Sequence, residues 1–175
     1  MIVSSSSRLN TLHDEKILII LLLAVILTMS AEAQQKAKKF YDETLDPIAQ
    51  IDEAVAKAKA EGKYVICQLG GNWCPWCVKF GYFIEECEEI REVIEKNFVY
   101  IHVNYTSKKD EKSQIANRRL ANAGRFGFPV LVVLREDGSV MHIQNSSYLE
   151  EDKSYNRVRV LKFFQGWTPE AVASF

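Results

Sequence analysis

The strongest constraint on the fold is a pair of cysteines placed where a predicted strand gives way to a predicted helix. Residues 64–69 form a short, β-prone apolar run, and two consecutive glycines interrupt it. Residues 73–77 (Trp-Cys-Pro-Trp-Cys) follow, and a helix-compatible stretch continues from Val78. Pro75 falls at the first helical position, where its missing N–H and fixed φ are tolerated. The pattern predicts a strand–turn–helix unit with Cys74 at the helix N-terminus.

This position favours the anionic form of the Cys74 sulfur. Backbone N–H groups at the start of a helix lack intrahelical partners, and the helix dipole places partial positive charge there. Both effects stabilise the thiolate, which is the form that attacks disulfides. Cys77 lies one turn further along, close enough to resolve the mixed disulfide that would form. The spacing predicts Cys74 as the nucleophile and Cys77 as the resolving thiol.

Other uses of the cysteine pair are less compatible with the sequence. Structural zinc takes four ligands at paired spacing, and the other cysteines and histidines form no second close pair. A purely structural disulfide would close only a very short loop. We therefore predict redox chemistry without a metal or an organic cofactor. A bridge between Cys67 and Cys87 stays open on sequence alone, although Cys67 fits a buried apolar position and Cys87 falls on another face of the predicted helix.

The first 33 residues have the pattern of an export signal. Residues 17–27 are an unbroken apolar run that follows Lys16, and residues 31–33 (Ala-Glu-Ala) have the small-x-small pattern of a cleavage site. The run is shorter than the ~20 residues of a membrane span. We expect cleavage after residue 33 and export to an oxidising compartment, either the periplasm or the cell exterior. Asp14 and Glu15 precede the run and keep an uncleaved membrane anchor open as an alternative.

The remaining chain has the size of one domain, which we expect to be monomeric. Residues 34–45 are polar and predict a loose lead-in, and residues 46–175 form the predicted domain. Residues 1–33 hold two basic and three acidic side chains, so their removal takes Lys+Arg from 22 to 20 and Asp+Glu from 23 to 20. A neutral domain has no bulk charge that favours nucleic acid or an anionic membrane.

Helical and strand patterns alternate along the predicted domain. In chain order they are a helix over 46–62, a strand over 64–69, a helix from 75 to about 97, a strand over 98–103, a helix over 108–122, a strand over 129–134, a strand over 139–144 after a turn at 136–138, a polar loop to about 154, and a helix around 158–164. This order predicts an α/β fold with a central mixed β-sheet and helices on both faces.

The order of elements, the Trp-Cys-Pro-Trp-Cys motif and the later Gly127-Phe128-Pro129 together resemble the thioredoxin superfamily, in particular its exported disulfide reductases and isomerases. The resemblance spans residues 46–167. It implies a thioredoxin-like fold and a thiol–disulfide oxidoreductase acting on protein disulfides. Pro129 matches the family's cis-proline, beside which the substrate peptide pairs like an added strand. The implied substrate-binding residues are Trp73, Pro75, Trp76, Phe128 and Pro129.

Three features depart from the family pattern. Many thioredoxins carry a buried aspartate where this chain has Gln68, and an amide cannot act as a base. Water or another group must therefore exchange protons with Cys77. His102 stands approximately where the family often has a lysine, and we expect it to be structural rather than catalytic. The dipeptide at 75–76 lacks the histidine of the strongest oxidants, which favours reduction or isomerisation, with electrons from a membrane-bound thiol relay.

A function of another class remains as the alternative. A binding or chaperone module could keep the thioredoxin shape for gripping peptides, with little redox turnover. Two features keep this alternative open: Gln68, which puts the rate of the resolving step in doubt, and the crowded Pro75-Trp76 dipeptide. Turnover of a protein disulfide separates the two functions.

Overall fold

The structure is a computed structural model, and it describes residues 38–174. The predicted export signal at residues 1–33 and its cleavage site lie outside the described residues. Among the helices of residues 38–174, none combines the length and apolar character that crossing a bilayer requires.

Six α-helices and six strands follow one another along the described residues. In chain order they are α1 (Pro47–Glu61), β1 (Tyr64–Gly70), α2 (Pro75–Glu86), α3 (Glu88–Asn97), β2 (Phe98–Asn104), α4 (Glu111–Arg119), β3 (Val130–Leu134), β4 (Val140–Asn145), β5 (Glu150–Glu151), β6 (Ser154–Tyr155), α5 (Arg157–Gly166) and α6 (Pro169–Ala173). Short 3₁₀ helices occupy Ala123–Phe126 and Ser146–Leu149.

The main sheet has the strand order β2-β1-β3-β4. β1 runs parallel to β2 and antiparallel to β3, and β3 pairs antiparallel with β4. In this register Gln68 stands opposite His102 on one side and opposite Leu131 on the other. The predicted central mixed sheet is confirmed. The small β5–β6 hairpin lies where the sequence predicted only a polar loop.

Side chains of β1 alternate between two cores, because successive residues of a strand point to opposite faces. Cys67 and Leu69 pack in the core that includes α1 and α4, whereas Ile66 packs in the core that includes α2, α3 and α5. Helices therefore cover both faces, as predicted. Cys87 borders the second core, so Cys67 and Cys87 lie on opposite faces, and all four cysteines are free thiols.

The single helix predicted from residue 75 to about residue 97 is wrong, because the chain breaks it at Cys87. Two glutamates precede and two follow this cysteine, and in a continuous helix the two pairs would lie one turn apart and repel each other. The break places Glu88 and Glu89 in the first turn of α3, where the helix dipole favours negative charge. Cys87 thus lies between two helices instead of on another face of a single helix.

Residues 38–45, the described part of the lead-in that the polar composition predicted to be loose, are anchored to the domain. Tyr41 is only 1% exposed. The backbone N–H groups of Phe40 and Tyr41 both donate to Oδ1 of Asn72 at 3.1 Å, and Nδ2 of Asn72 donates back to the Tyr41 carbonyl at 2.8 Å. Because Asn72 lies just before Cys74, these bonds hold the segment beside the cysteine pair.

Candidate active site

Cys74 caps the N-terminus of α2, as predicted. Its backbone is extended, and Pro75 occupies the first turn of the helix. The Cys74 sulfur accepts a hydrogen bond from the Cys77 N–H at 3.2 Å. The Cys77 thiol donates to it as well, and the Cys77 and Trp76 N–H groups add to this effect, so that the pKa of Cys74 falls to about 7 although burial opposes the shift.

Cys77 is fully buried and has the opposite protonation behaviour. Its hydrogen bond to Cys74 and its burial raise the pKa of the Cys77 thiol, while donors from the Gly71 N–H and the Tyr41 hydroxyl act in the other direction. At neutral pH the proton therefore stays on Cys77, and Cys74 is the sulfur that ionises first. Among residues 38–174, no three His, Cys, Asp or Glu side chains form a group that could hold a metal ion.

An aromatic rim, formed by Trp73, Trp76 and Phe128, lies beside the cysteine pair. Half-buried Trp76 and Phe128 pack against the buried cluster of Tyr41, Cys74 and Cys77, in which Cys74 exposes only 5% of its surface. Trp73 is the exposed member of the rim at 55%, and its ring meets Phe128 edge-on at 5.6 Å. The surface beside Cys74 is therefore apolar and aromatic.

Contacts with three other residues hold the two tryptophans of the rim in place. The Lys79 ammonium lies 4.6 Å above the Trp76 ring, and the Tyr155 hydroxyl donates to the Trp76 carbonyl at 3.1 Å. On the other side, the Trp73 indole N–H donates to the Tyr105 carbonyl at 2.8 Å. These contacts hold the Trp73 indole and the Trp76 backbone against the fold, whereas Pro75 between the two tryptophans is exposed.

The Phe128–Pro129 peptide bond is cis, as predicted. Pro129 is buried and directly precedes β3. The Cys74 sulfur lies 3.6 Å from the Phe128 carbonyl oxygen, so the proline stands next to the cysteine pair although 54 residues separate Phe128 from Cys74 in sequence. The structure therefore brings together both motifs on which the family resemblance depends.

Gln68 lies fully buried behind Cys77, and its amide is satisfied without ionising, as the sequence predicted. Its Nε2 donates to the Tyr41 hydroxyl at 2.6 Å and to the Cys77 carbonyl at 3.1 Å, and its Oε1 accepts from the Tyr100 hydroxyl at 2.5 Å. His102 is half-buried and packs against the rings of Tyr41 and Tyr100, with centroid distances of 5.2 and 5.3 Å. His102 therefore borders the two tyrosines that contact Gln68.

Tyr41 and Tyr100 are site residues that sequence reasoning missed. Tyr100 alternates within an apolar strand, where an aromatic side chain is already explained by packing. Tyr41 falls in a segment that is otherwise polar. The available signal was the adjacent aromatic pair Phe40-Tyr41, since two large rings in a polar lead-in indicate an anchor to the domain.

The alkylation rate of Cys74 is expected to rise with pH through a midpoint of about 7, because the thiolate is the reactive form. Cys77→Ala removes the thiol donor that lowers this pKa most, so the midpoint should move up toward the ordinary cysteine range. The midpoint is measured by iodoacetamide labelling at a series of pH values. Mass-spectrometric fragment ions distinguish label on Cys74 from label on residue 77. Cys87→Ala removes a thiol outside the site and should leave the midpoint unchanged. A midpoint near 8.5 in the unsubstituted chain would contradict the expected thiolate stabilisation.

Comparisons with known proteins identify the family and the fold. A family model described as thioredoxin-like matches residues 46–140. The structure is similar to a disulphide isomerase from Xylella fastidiosa Temecula1, with 22% identity and a TM-score of 0.62 over 71% of this chain and 93% of that one. It is also similar to a thioredoxin from Thermus thermophilus (22% identity, TM-score 0.48, 65% and 80% covered) and to the DsbD C-terminal domain of Neisseria meningitidis (20%, 0.45, 73% and 97%). No curated protein matches the sequence significantly. The family match and the Xylella structure confirm the predicted fold.

Proposed function

This chain belongs to the thioredoxin-like family, and from that premise we propose that it is a thiol–disulfide oxidoreductase acting on protein disulfides outside the cytoplasm. The observation that carries the proposal is the asymmetry of the cysteine pair. Cys74 has a pKa of about 7 at a helix N-terminus, whereas the pKa of Cys77 is raised. Dithiol exchange needs this asymmetry, because one sulfur must attack as a thiolate while the other waits as a thiol.

The proposed reaction has two exchange steps. The Cys74 thiolate attacks one sulfur of a substrate disulfide, the substrate S–S bond breaks, and a mixed disulfide forms while the first substrate thiolate leaves and takes a proton from solvent. Cys77 then attacks the Cys74 sulfur, an S–S bond forms between Cys74 and Cys77, and the second substrate sulfur leaves as a thiol. Two electrons pass to the substrate, so a donor dithiol must reduce the pair before the next turnover.

We assign substrate binding to the aromatic rim together with Pro75 and Pro129. The exposed ring of Trp73 and the exposed Pro75 offer apolar contacts to an unfolded segment, since both lie beside the Cys74 sulfur. The Phe128 carbonyl and Pro129 provide the wall against which a substrate peptide would extend. Gln68 and His102 act behind the pair and not on the substrate.

Reduction or isomerisation is the proposed direction. Strong oxidants work because their reduced form is unusually stable. A Cys74 pKa lowered to about 7 stabilises the reduced form far less than a thiol pKa of about 3.5, the value in a strong oxidant, would. The similarity to a protein described as a disulphide isomerase supports this direction. The apolar run and Ala-Glu-Ala pattern within residues 1–33 support export, where a membrane-bound thiol relay would supply electrons to a monomeric chain.

Turnover of a protein disulfide tests the proposed activity. The full chain is mixed with a model protein disulfide and dithiothreitol, and reduction should exceed the rate with dithiothreitol alone. Peptide binding without turnover would support the binding-module alternative instead. A redox titration of the Cys74–Cys77 pair tests the direction, and we expect a potential closer to about −270 mV than to about −120 mV. A potential near about −120 mV would contradict reduction as the direction.

A further inference from the structure

Behind Cys77 lies an amide network, formed by Tyr41, Gln68 and Tyr100, in which the direction of each hydrogen bond can be assigned. The Cys77 carbonyl can only accept, so the Gln68 group 3.1 Å from it is the NH₂ end of the amide. The carbonyl end then faces Tyr100, whose hydroxyl donates to it at 2.5 Å. The amide is therefore fixed at both ends.

The fixed amide also determines where the Tyr41 hydrogen points. The second N–H of Gln68 donates to the Tyr41 oxygen at 2.6 Å, which leaves the Tyr41 O–H to donate elsewhere. The Tyr41 hydroxyl acts on Cys77 as a hydrogen-bond donor that lowers the pKa of its thiol, against the larger effects that raise it. The Cys77 sulfur and the Tyr41 oxygen lie 2.5 and 2.8 Å from one common point, the position that a Cβ on Gly70 would take. Both residues are buried, so bulk water does not compete for this bond.

We propose that the Tyr41 hydroxyl donates a hydrogen bond to the Cys77 thiolate as it forms, and that Gln68 and Tyr100 are positioning residues that orient the hydroxyl. The inference rests on the proposed function, because Cys77 ionises only while it resolves the mixed disulfide. In that step the Cys77 proton passes to solvent, the Cys74–Cys77 bond forms, and the bond from Cys74 to the substrate breaks. The departing substrate sulfur takes up one proton, and Tyr41 keeps its own.

Tyr41 acts here as a donor and not as a base. Burial raises the pKa of Tyr41, so the phenol stays protonated at neutral pH. The ionisable groups that face Cys77 are Cys74 on α2, Tyr41 before α1, Tyr100 on β2 and Tyr155 on β6. A neutral donor lowers the free energy of the thiolate without accepting its proton. The amide network therefore stabilises the Cys77 thiolate through a hydrogen bond, and this does not require an ionisable residue at position 68.

Two-phase kinetics with 5,5′-dithiobis(2-nitrobenzoate) test the inference. In the reduced full chain, with Cys87→Ser in every variant to remove the half-exposed thiol, the first release of chromophore reports attack by Cys74 and the second reports resolution by Cys77. Tyr41→Phe should leave the first phase and its pH midpoint unchanged. It should slow the second phase about tenfold at pH 7 and raise its pH midpoint by about one unit, since a hydrogen bond to an anion is lost.

Two further variants separate this role from packing. Tyr64→Phe deletes a hydroxyl at the other end of β1 and should change neither phase. Tyr100→Phe should slow the second phase less than Tyr41→Phe does. Because Tyr100 acts through Tyr41, Tyr100→Phe should not slow the second phase further when Tyr41→Phe is already present.

The outcomes distinguish the inference from the proposed function. An unchanged second phase in Tyr41→Phe overturns the inference and leaves the oxidoreductase proposal standing. Equal slowing of both phases also overturns it, because Tyr41 would then act through general packing of the site. Absence of the first phase in the parent chain overturns the proposed function itself.

Discussion

Replacing Cys74 with serine is expected to reduce disulfide turnover by several orders of magnitude, to the rate measured without the protein. A serine hydroxyl is not ionised at neutral pH, even where the N–H groups of the first turn of α2 stabilise an anion. It also cannot form the S–S bond on which the exchange depends. The loss of turnover is measured by assays of protein-disulfide reduction with dithiothreitol as the electron donor.

Cys77→Ser is expected to fail at a different step. Cys74 remains able to attack, but no second thiol resolves the product, so the mixed disulfide with the substrate should accumulate. Intact-mass measurement should show a covalent adduct that excess dithiothreitol removes, and Cys74→Ser should show none. Cys87→Ser is the matched control, since that thiol lies between α2 and α3 outside the site, and its turnover should be normal. Turnover that survives in Cys74→Ser would place the active sulfur elsewhere.

The start of α2 could be predicted because its determinants are local. Two glycines end the strand, and Pro75 favours a helix start directly after Cys74, so no tertiary contact is needed to place the sulfur at the N-terminus. The cis-proline was predictable only through the resemblance. Its position beside Cys74 depends on how β3 pairs with β1, which a single sequence does not specify.

The helix break at Cys87 and the amide network escaped prediction for two different physical reasons. Glutamate is a good helix former, so propensity favoured a continuous helix, whereas repulsion between neighbouring glutamates and the dipole of α3 favour the break. The amide network joins Tyr41, Gln68 and Tyr100, which stand on three separate segments. Strand alternation alone places Gln68 on a face, but its contact with Tyr100 follows only from the parallel register of β1 and β2. Its contact with Tyr41 follows only from the bonds that hold the segment before α1 against Asn72.

Gly70, the last residue of β1, lies close to Cys77 and Tyr41. A Cβ at this position would lie 2.5 Å from the Cys77 sulfur and 2.8 Å from the Tyr41 hydroxyl, both well inside van der Waals contact. The Gly70 carbonyl accepts from the Tyr105 N–H at 2.6 Å, so the strand end is held and cannot easily retreat. A side chain at residue 70 must therefore displace Cys77, Tyr41 or both.

Gly70→Ala is accordingly expected to lower the free energy of unfolding by about 1–3 kcal/mol, as overpacking of a core does. It should also slow resolution by Cys77 at least about tenfold, because a sulfur moved by even part of this overlap loses its alignment with Cys74 and its donor Tyr41. Urea denaturation measures the first effect and the two-phase thiol assay the second. Gly166→Ala is the matched control, because a Cβ there meets nothing within 4 Å, and both quantities should stay close to those of the parent chain. Normal resolution in Gly70→Ala would mean that the Cys77 sulfur does not pack against the end of β1 in the reacting protein.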